Sequence, residues 1–368
     1  MKRKLTVLML LCLLLTGCSG FEPIIAEESQ NIGHQGTVIV PQHTDINRST
    51  DVSFYGMMLD SLQHVENKMV YPGAVTEEEI HSTFIKLCAD HPELFWVCGM
   101  EGTAGENETI IEFRFLEGYS VDELKQMYAQ TVQSAEVIAT LVDKASSEYD
   151  IALAVHDFLI TNTTSEKSDG QFGIAATAYG CLVQHSATGH GYAQAFVLAM
   201  HKLGIEAGMC EGTADGTAHT WNYVKLDDAY YWMDAAWDDP RTEGDPILRH
   251  AYCFVPDSLF LANRKLADNN YFVPQCTETT NNYYVKNNAY FTEYSFKAVK
   301  NILTDGVKKG CAEMMFADAA AADAAVEDLI TNKKIWNISG LNSKKMNVSY
   351  QLTQDTHALY LSFTPKTS

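Results

Sequence analysis

Apolar side chains recur at helical spacing along much of the chain. Apolar residues at 151, 155, 158 and 159 predict a helix over residues 148–160, and a second apolar run predicts a helix over residues 191–203. Gly204 follows this run, in the position where a glycine commonly ends a helix. Between residues 51 and 147 the pattern is also helical, with two strands, and Ser120 with Glu123 three residues later is typical of a helix start. The pattern therefore indicates a mixture of helices and strands.

Two runs rich in aromatic and β-branched side chains follow, over residues 220–226 and 230–236. Asp227 and Asp228 lie between them, which predicts a β-hairpin with a two-residue turn. In that register His219 lies opposite residue 236, and Asp234 is its diagonal neighbour on the same face. Diagonal neighbours are about 7–8 Å apart at the backbone, within reach of a hydrogen bond between an imidazole and a carboxylate. The sequence thus predicts a His219–Asp234 pair of the kind that orients a catalytic base.

Short motifs around this hairpin resemble those of the transglutaminase-like superfamily. That family has a papain-like fold with a Cys-His-Asp triad, and its motifs are C-x-G-Y-A, H-x-W-N and D-x-x-W-D-D-P. Residues 219–222 read HTWN and residues 234–240 read DAAWDDP, so the resemblance implies His219 as the base and Asp234 as the acid. Residues 156–159 (HDFL) and 178–180 (AYG) match further segments of bacterial members. The resemblance implies acyl-transfer or peptide-bond chemistry through a thiol.

The position of the family's nucleophile departs from this pattern. Residues 191–193 read GYA, and the family's cysteine, two positions before them, corresponds to Gly189 here. A thiol at a helix N-terminus has a lowered pKa and is a ready nucleophile, whereas glycine has no side chain. Near these motifs, Trp221 and Tyr192 are candidates for ligand binding, although aromatic residues in strands usually serve packing. His156 is interpreted as a hydrogen-bonded structural residue.

The N-terminus has the features of a bacterial lipoprotein leader. Met1 is followed by three basic residues and by an apolar run over residues 5–15, which is too short to cross a bilayer. Residues 15–18 read LTGC and resemble a lipobox, which predicts cleavage after residue 17 and lipidation of Cys18. We therefore expect an extracytoplasmic protein that a lipid anchors to the bacterial membrane. The alternative is a chance cysteine after a secretory signal.

Charge and cysteine spacing narrow the range of partners and cofactors. Loss of residues 1–17 would leave 23 basic and 47 acidic residues, a net charge of −24. Such a balance argues against nucleic acid and anionic lipid as partners. The seven cysteines beyond residue 18 are scattered and form no C-x-x-C motif, so neither a zinc site nor a dense disulfide framework is expected, although one or two disulfides stay open. We expect no metal and no cofactor.

Beyond residue 257 no chemical motif is present. Patterns there predict the element order β-α-β-α-β-β, which is typical of a small α+β domain. The predicted organisation is a signal peptide (1–17), a lipid-anchored flexible tether (18–50), an N-terminal α+β region (51–147), a transglutaminase-like core (148–270) and a C-terminal α+β domain (280–368). The predicted fold class is α+β with a papain-like core.

Four functions are compatible with these observations. The first is a catalytically degenerate family member that binds a peptide, a protein or a cell-wall ligand. The second is an active thiol acyltransferase or peptidase with a displaced nucleophile, for which Cys181 is the candidate. The third is a metal-dependent hydrolase with His190, His219 and Asp234 as ligands, although these residues lack the HExxH spacing. The fourth is a purely structural surface lipoprotein. We favour the first, because acyl transfer through a thioester needs a thiolate.

Overall fold

The structure, a computed structural model, describes residues 3–5, 51–144, 146–167, 173–239, 248–268 and 270–366. These residues fall into two compact units. The first holds most of the described residues up to 133, and the second holds residues 89–92, 134–167 and those from 174 onwards. The predicted lipidation site Cys18 and the predicted tether lie outside the described residues. Within the described ranges, every helix is too short or too polar to cross a bilayer.

The first unit is built on a four-stranded antiparallel sheet with the strand order β1-β3-β4-β2. Its elements are β1 (Arg3–Leu5), α1 (Phe54–Gln63), β2 (Lys68–Tyr71), α2 (Glu77–Asp90), β3 (Val97–Ala104), β4 (Thr109–Phe115) and α3 (Val121–Leu141), and the ends of α2 and α3 count with the second unit. The predicted helix start at Ser120 is confirmed. The Ser120 hydroxyl accepts from the Glu123 N–H at 3.3 Å, and the Glu123 carboxylate accepts from the Ser120 N–H at 2.7 Å.

The core of the second unit begins with the predicted helix over residues 148–160 and contains a five-stranded antiparallel sheet. Its elements are α4 (Glu148–Asn162), β5 (Thr164–Ser165), a 3₁₀ turn (Ile174–Ala176), α5 (Ala178–Leu182), β6 (Ser186–Ala187), α6 (Gly189–Lys202), β7 (Ala207–Ala214), β8 (Thr217–Leu226), β9 (Ala229–Met233), α7 (Ala235–Asp238), β10 (Cys253–Val255), α8 (Asp257–Phe260) and β11 (Arg264–Leu266). The sheet order is β10-β9-β8-β7-β11. Mixed helices and sheet around this core give an α+β fold.

Helix α6 is the central element of this core. Every residue from His190 to Met200 is buried, so the helix is packed on all sides, as an apolar run of this length requires. The Asn222 side chain joins α6 to the sheet, because it donates to the Ala193 carbonyl at 3.0 Å and to the Gly208 carbonyl at 3.1 Å. The start of α6 is thereby fixed against strand β8.

The hairpin of β8 and β9 has the predicted register, with Leu226 opposite Ala229. Asp227 (φ 51°) and Asp228 (φ 66°) both adopt the left-handed conformation that a two-residue hairpin turn requires. The prediction that the second strand continues to residue 236 is wrong. Strand β9 ends at Met233 because the Asp234 carboxylate accepts from the Trp237 N–H at 3.1 Å and begins the short helix α7.

Replacing Asp228 by glycine should raise the free energy of unfolding by a few tenths to about 1 kcal/mol, because glycine adopts this left-handed conformation without steric cost. The Asp228 side chain is 99% exposed, and its ion pair with Lys225 at 3.4 Å lies at the surface. Chemical denaturation measures the change. Asp227→Gly is the matched control and should give no such gain, because the Asp227 carboxylate accepts from Asn281 at 3.1 Å. Equal gains in both variants would contradict this explanation.

The C-terminal region of the second unit forms a four-stranded sheet in the order β12-β13-β15-β14. Its elements are α9 (Tyr283–Lys286), β12 (Tyr290–Phe291), α10 (Phe296–Lys309), β13 (Cys311–Phe316), α11 (Ala319–Val326), a π-helical turn (Glu327–Thr331), a 3₁₀ turn (Lys334–Asn337), β14 (Met346–Thr353) and β15 (Ala358–Pro365). From residue 288 onwards this is the predicted β-α-β-α-β-β order. The region counts with the core as one compact unit, so its boundary as a separate domain stays a prediction.

Candidate functional site

Gly189 is the first residue of helix α6, as the sequence predicts for the nucleophile position. A Cβ atom placed on Gly189 would lie 2.5 Å from Cε1 and 2.8 Å from Nδ1 of His219. Both distances are shorter than a van der Waals contact, so the imidazole itself occupies the space that a side chain at position 189 needs. The position is therefore filled, and it accepts a larger residue only if the His219 ring moves.

The predicted pair of His219 and Asp234 is present. His219 Nε2 lies 2.9 Å from Asp234 Oδ2, within hydrogen-bond distance. The pair forms differently from the prediction, because Asp234 follows the end of β9 and caps α7 instead of lying on a strand. The Trp237 ring lies 5.5 Å from the His219 ring, between centroids. Nδ1 of His219 thus faces Gly189 while Nε2 is held by the carboxylate.

A buried arginine, Arg264, completes this site, and sequence analysis missed it. Its Nη2 donates to Asp234 Oδ2 at 2.9 Å, and its Nη1 lies 3.4 Å from Asp355 Oδ2. The guanidinium carbon lies 4.0 Å from the centroid of the Phe260 ring and 4.1 Å from that of the Trp237 ring. No motif marks Arg264, which enters the site on the three-residue strand β11. His219, Asp234 and Arg264 form what we call the His–Asp–Arg cluster.

The His–Asp–Arg cluster keeps Asp234 ionised. Burial by itself raises the pKa of the Asp234 carboxyl, but the adjacent His219 and Arg264 outweigh it and hold the pKa below its ordinary value. A depressed carboxyl pKa stabilises the fold above the pKa of the unfolded chain, and this stabilisation is lost as the pH falls through the folded value. Asp234 therefore serves as the fixed negative charge of the site.

Tyr192 and Trp221, the two predicted binding residues, are both buried to 1% exposure. The Tyr192 hydroxyl donates to Asp239 Oδ2 at 2.6 Å and lies 3.2 Å from the Thr163 carbonyl. The Trp221 ring packs edge-on against Phe260 at a centroid distance of 5.8 Å. Both side chains thus pack in the core here, and their role in ligand binding stays a prediction.

The cysteines that the structure describes are all free thiols with a raised pKa. They are Cys88, Cys98, Cys181, Cys210, Cys253, Cys276 and Cys311. Burial raises the pKa of Cys181, the candidate displaced nucleophile, to about 12, and its sulfur lies 3.4 Å from the Thr163 hydroxyl. A nucleophilic cysteine needs a lowered pKa, so none of these thiols is activated.

His190, a predicted metal ligand, is turned toward other partners. Its Nδ1 lies 2.7 Å from the Ala176 carbonyl, and its Nε2 lies 3.9 Å from Glu211 Oε1. Within the described part of the chain one group of side chains has the spacing of metal ligands, and it consists of His156, Asp157 and His250. His190, His219 and Asp234 therefore do not form the predicted ligand set.

His156 is hydrogen-bonded and fully buried, as the structural interpretation expects. Its Nδ1 lies 2.9 Å from Asp157 Oδ1, and its Nε2 lies 3.2 Å from Asp238 Oδ2. His250 joins from the other side, with Nε2 3.1 Å from Asp157 Oδ1 and Nδ1 3.0 Å from Glu313 Oε1. We call these five residues the two-histidine cluster. Sequence analysis missed His250 and Glu313, which no motif marks.

In the two-histidine cluster, burial and the neighbouring charged groups shift the pKa values of the side chains in opposite directions. Burial lowers the pKa of His250, but Asp157 and Glu313 raise it to about 10. Burial raises the pKa of Asp238 to about 6, although His156 acts in the opposite direction. The cluster therefore brings five ionisable groups into contact, and most of them are buried.

Comparisons with known proteins agree with this core. Residues 135–235, which include Gly189, His219 and Asp234, match the family model of the transglutaminase-like superfamily core. A comparison with curated proteins finds no match.

Among solved structures, a transglutaminase is similar at 11% identity and a TM-score of 0.30, over 53% of this chain and 56% of its own. A proposed cysteine protease from Cytophaga hutchinsonii is similar at 12% identity and a TM-score of 0.27, over 54% and 67% of the two chains. A proposed protease from Parabacteroides distasonis ATCC 8503 is similar at 11% identity and a TM-score of 0.28, over 73% and 62%. The chain thus spans just over half the length of the transglutaminase.

Proposed function

We propose that this chain is a transglutaminase-like protein without thiol catalysis that binds a peptide, a protein or a cell-wall ligand, and the match of residues 135–235 to the transglutaminase-like family model supports this. The observation that carries this proposal is the His219 imidazole, which fills the space of the missing nucleophile 2.5 Å from a Cβ at Gly189. An open cavity beside Gly189 would favour a reaction in which another group replaces the cysteine as nucleophile. The His219 ring fills that space, which favours loss of the reaction.

The chemistry of acyl transfer supports this proposal. The reaction forms a thioester through a thiolate; the histidine takes the proton of the thiol, and the carboxylate orients the histidine. Without the nucleophile, a triad enzyme loses on the order of 10⁶-fold in rate, and the residual rate comes from binding and from oxyanion stabilisation. The raised pKa of each described cysteine removes a nearby substitute. His219 and Asp234 then have no sulfur to activate.

Groups that could bind a ligand are still present at the start of α6, although the nucleophile is missing. Thr188, which precedes the first turn of α6, makes no side-chain cap to the helix. The partial positive charge of a helix N-terminus suits a carbonyl or carboxylate oxygen of a peptide chain. The His219 side chain is 13% exposed, which leaves an edge of the imidazole for a ligand to contact. We therefore assign the ligand to the start of α6 beside His219.

The cellular setting of this proposal follows from the leader. The lipobox-like residues 15–18 support lipidation of Cys18 and an extracytoplasmic protein anchored to the bacterial membrane. The strongly acidic balance supports a partner other than nucleic acid. Peptide, protein and cell-wall ligands are the chemical classes found in that location.

Assays of turnover and binding together test the proposed function. Wild-type protein should incorporate no fluorescent primary amine into a glutamine-containing peptide and should hydrolyse no peptide amide above the rate of heat-denatured protein. It should still bind such peptides or peptidoglycan fragments, as seen by tryptophan fluorescence, and His219→Gln should weaken that binding.

Three outcomes favour the other functions. Turnover that is lost in Cys181→Ala and kept in Cys210→Ala would establish a displaced nucleophile. Turnover that a chelator abolishes would establish metal-dependent hydrolysis. Absence of both turnover and binding would leave only a structural role.

A further inference from the structure

We propose that His156, Asp157 and His250 bind one divalent transition-metal ion, and that zinc is the ion that suits these ligands. Their ligand atoms all lie within 4.8 Å of one another. Asp157 Oδ1 is 2.9 Å from His156 Nδ1 and 3.1 Å from His250 Nε2. Two imidazole nitrogens and one carboxylate oxygen are a ligand set that holds zinc and leaves a fourth position for water. The proposed site shares no residue with the His–Asp–Arg cluster.

In each histidine, the ring nitrogen that faces away from Asp157 contacts a carboxylate, as is usual for histidines that bind a metal. His156 Nε2 lies 3.2 Å from Asp238 Oδ2, and His250 Nδ1 lies 3.0 Å from Glu313 Oε1. A histidine that binds a metal usually donates its other ring N–H to a carboxylate or carbonyl, which fixes the tautomer and the ring orientation. Here both histidines have a carboxylate in that position. The inner nitrogens are therefore positioned to offer lone pairs on the side of Asp157.

Proton balance shows what the ion would replace. A carboxylate accepts hydrogen bonds only, so without an ion a proton must lie between Asp157 and each inner nitrogen. With the outer nitrogens also donating, both imidazoles are then positively charged. One divalent ion that displaces these two protons leaves the charge of the cluster unchanged and releases two protons to solvent. The ion thus takes over the neutralisation of the buried carboxylates.

Burial and packing make the site rigid and reachable. The His156 and His250 side chains are 0% and 5% exposed, whereas Asp157 is 32% exposed and faces solvent. The Tyr283 ring stacks on His250 with 3.7 Å between centroids and fixes its plane. Helix α4 supplies His156 and Asp157, and strand β13 supplies Glu313. A bound ion would therefore hold the core against the C-terminal sheet.

Zinc titration of the full chain tests this site. After treatment with a chelator, the wild type should bind one zinc ion per chain in equilibrium dialysis, and its midpoint of thermal unfolding should rise with zinc but not with magnesium. Asp157→Asn keeps the size of the side chain and should weaken zinc binding by at least about 100-fold. Glu313→Gln keeps all three proposed ligands and alters the outer carboxylate, which also accepts from the His250 N–H and the Tyr284 hydroxyl, and it should weaken zinc binding by about 10–100-fold.

His190→Gln is the matched control, because His190 is also buried and also faces a carboxylate, Glu211, at 3.9 Å. It should leave zinc affinity unchanged. Failure of the wild type to bind zinc, or equal affinity in Asp157→Asn and the wild type, would overturn the proposal. If Asp157→Asn does not fold, the absorption spectrum of the wild-type protein with bound cobalt identifies the ligands instead. Nitrogen and oxygen ligation without a thiolate charge-transfer band supports the site, and a thiolate band would place the ion at a cysteine and overturn it.

Discussion

Replacing Asp234 by alanine should lower the free energy of unfolding by about 3–5 kcal/mol, which is the cost of leaving a buried charge without its partner. Arg264 is fully buried, and the Asp234 carboxylate that it contacts at 2.9 Å is fully buried too. The variant also removes the cap of α7 and the hydrogen bond to His219. Urea denaturation monitored by tryptophan fluorescence measures the loss.

Two further variants separate the buried charge from the other contributions. Asp305→Ala also removes an aspartate that pairs with a basic residue, but that pair lies on the surface, and stability should change little. The double variant Asp234→Ala/Arg264→Met should be more stable than Asp234→Ala alone, because it no longer leaves the buried guanidinium without its closest carboxylate and with Asp355 at 3.4 Å in its place. A double variant that is less stable than the single one would show that the aromatic contacts of Arg264 matter more than its charge.

A cysteine introduced at position 189 should react with iodoacetamide at least about 100-fold faster than any described native cysteine in the folded protein. The helix N-terminus and the adjacent imidazole both favour a thiolate. Burial raises the pKa of Cys98 to about 11 and that of Cys181 to about 12, so the native thiols hold little thiolate at neutral pH. The rate of carbamidomethylation of each peptide, followed by mass spectrometry, measures this difference.

The same substitution should destabilise the fold by about 1–3 kcal/mol, because the new Cβ overlaps the His219 ring. Gly189→Ala is the steric control and should lose a similar amount without gaining a reactive thiol. Adding His219→Gln to the cysteine variant should remove most of the rate advantage. A well-folded Gly189→Cys protein whose new thiol titrates near the ordinary value of about 8.5 would show that His219 no longer addresses this position.

Local pattern predicts the parts of the site that depend on neighbouring residues. The turn at Asp227 and Asp228 fixes the hairpin register, and that register brings His219 to within 2.9 Å of Asp234. The capping box at Ser120 is likewise specified within four residues. One local interaction was still missed. The Asp234 carboxylate that contacts His219 also caps α7, and this capping ends strand β9 earlier than predicted.

Contacts between distant elements leave no such pattern in the sequence. Arg264 reaches Asp234 from 30 residues away, and Glu313 reaches His250 from 63 residues away. A single arginine or glutamate on a short strand looks like a surface residue until the fold buries it. The contact between His219 and Gly189 could not be predicted from the sequence either, because the sequence shows only that the side chain at position 189 is missing. Which group occupies the space depends on the three-dimensional placement of β8 against α6.

Labelling of the folded wild-type protein tests the loss of thiol catalysis most directly. The protein is incubated with an electrophilic peptide probe that alkylates activated thiolates, and its intact mass is measured before and after unfolding. We expect no adduct on the seven described cysteines of the folded protein and reaction of these cysteines only after unfolding, because the His219 ring fills the nucleophile position and the described thiols have a raised pKa. One stoichiometric adduct on the folded protein, lost in Cys181→Ala and retained in Cys210→Ala, would contradict this result and establish a living thiol enzyme.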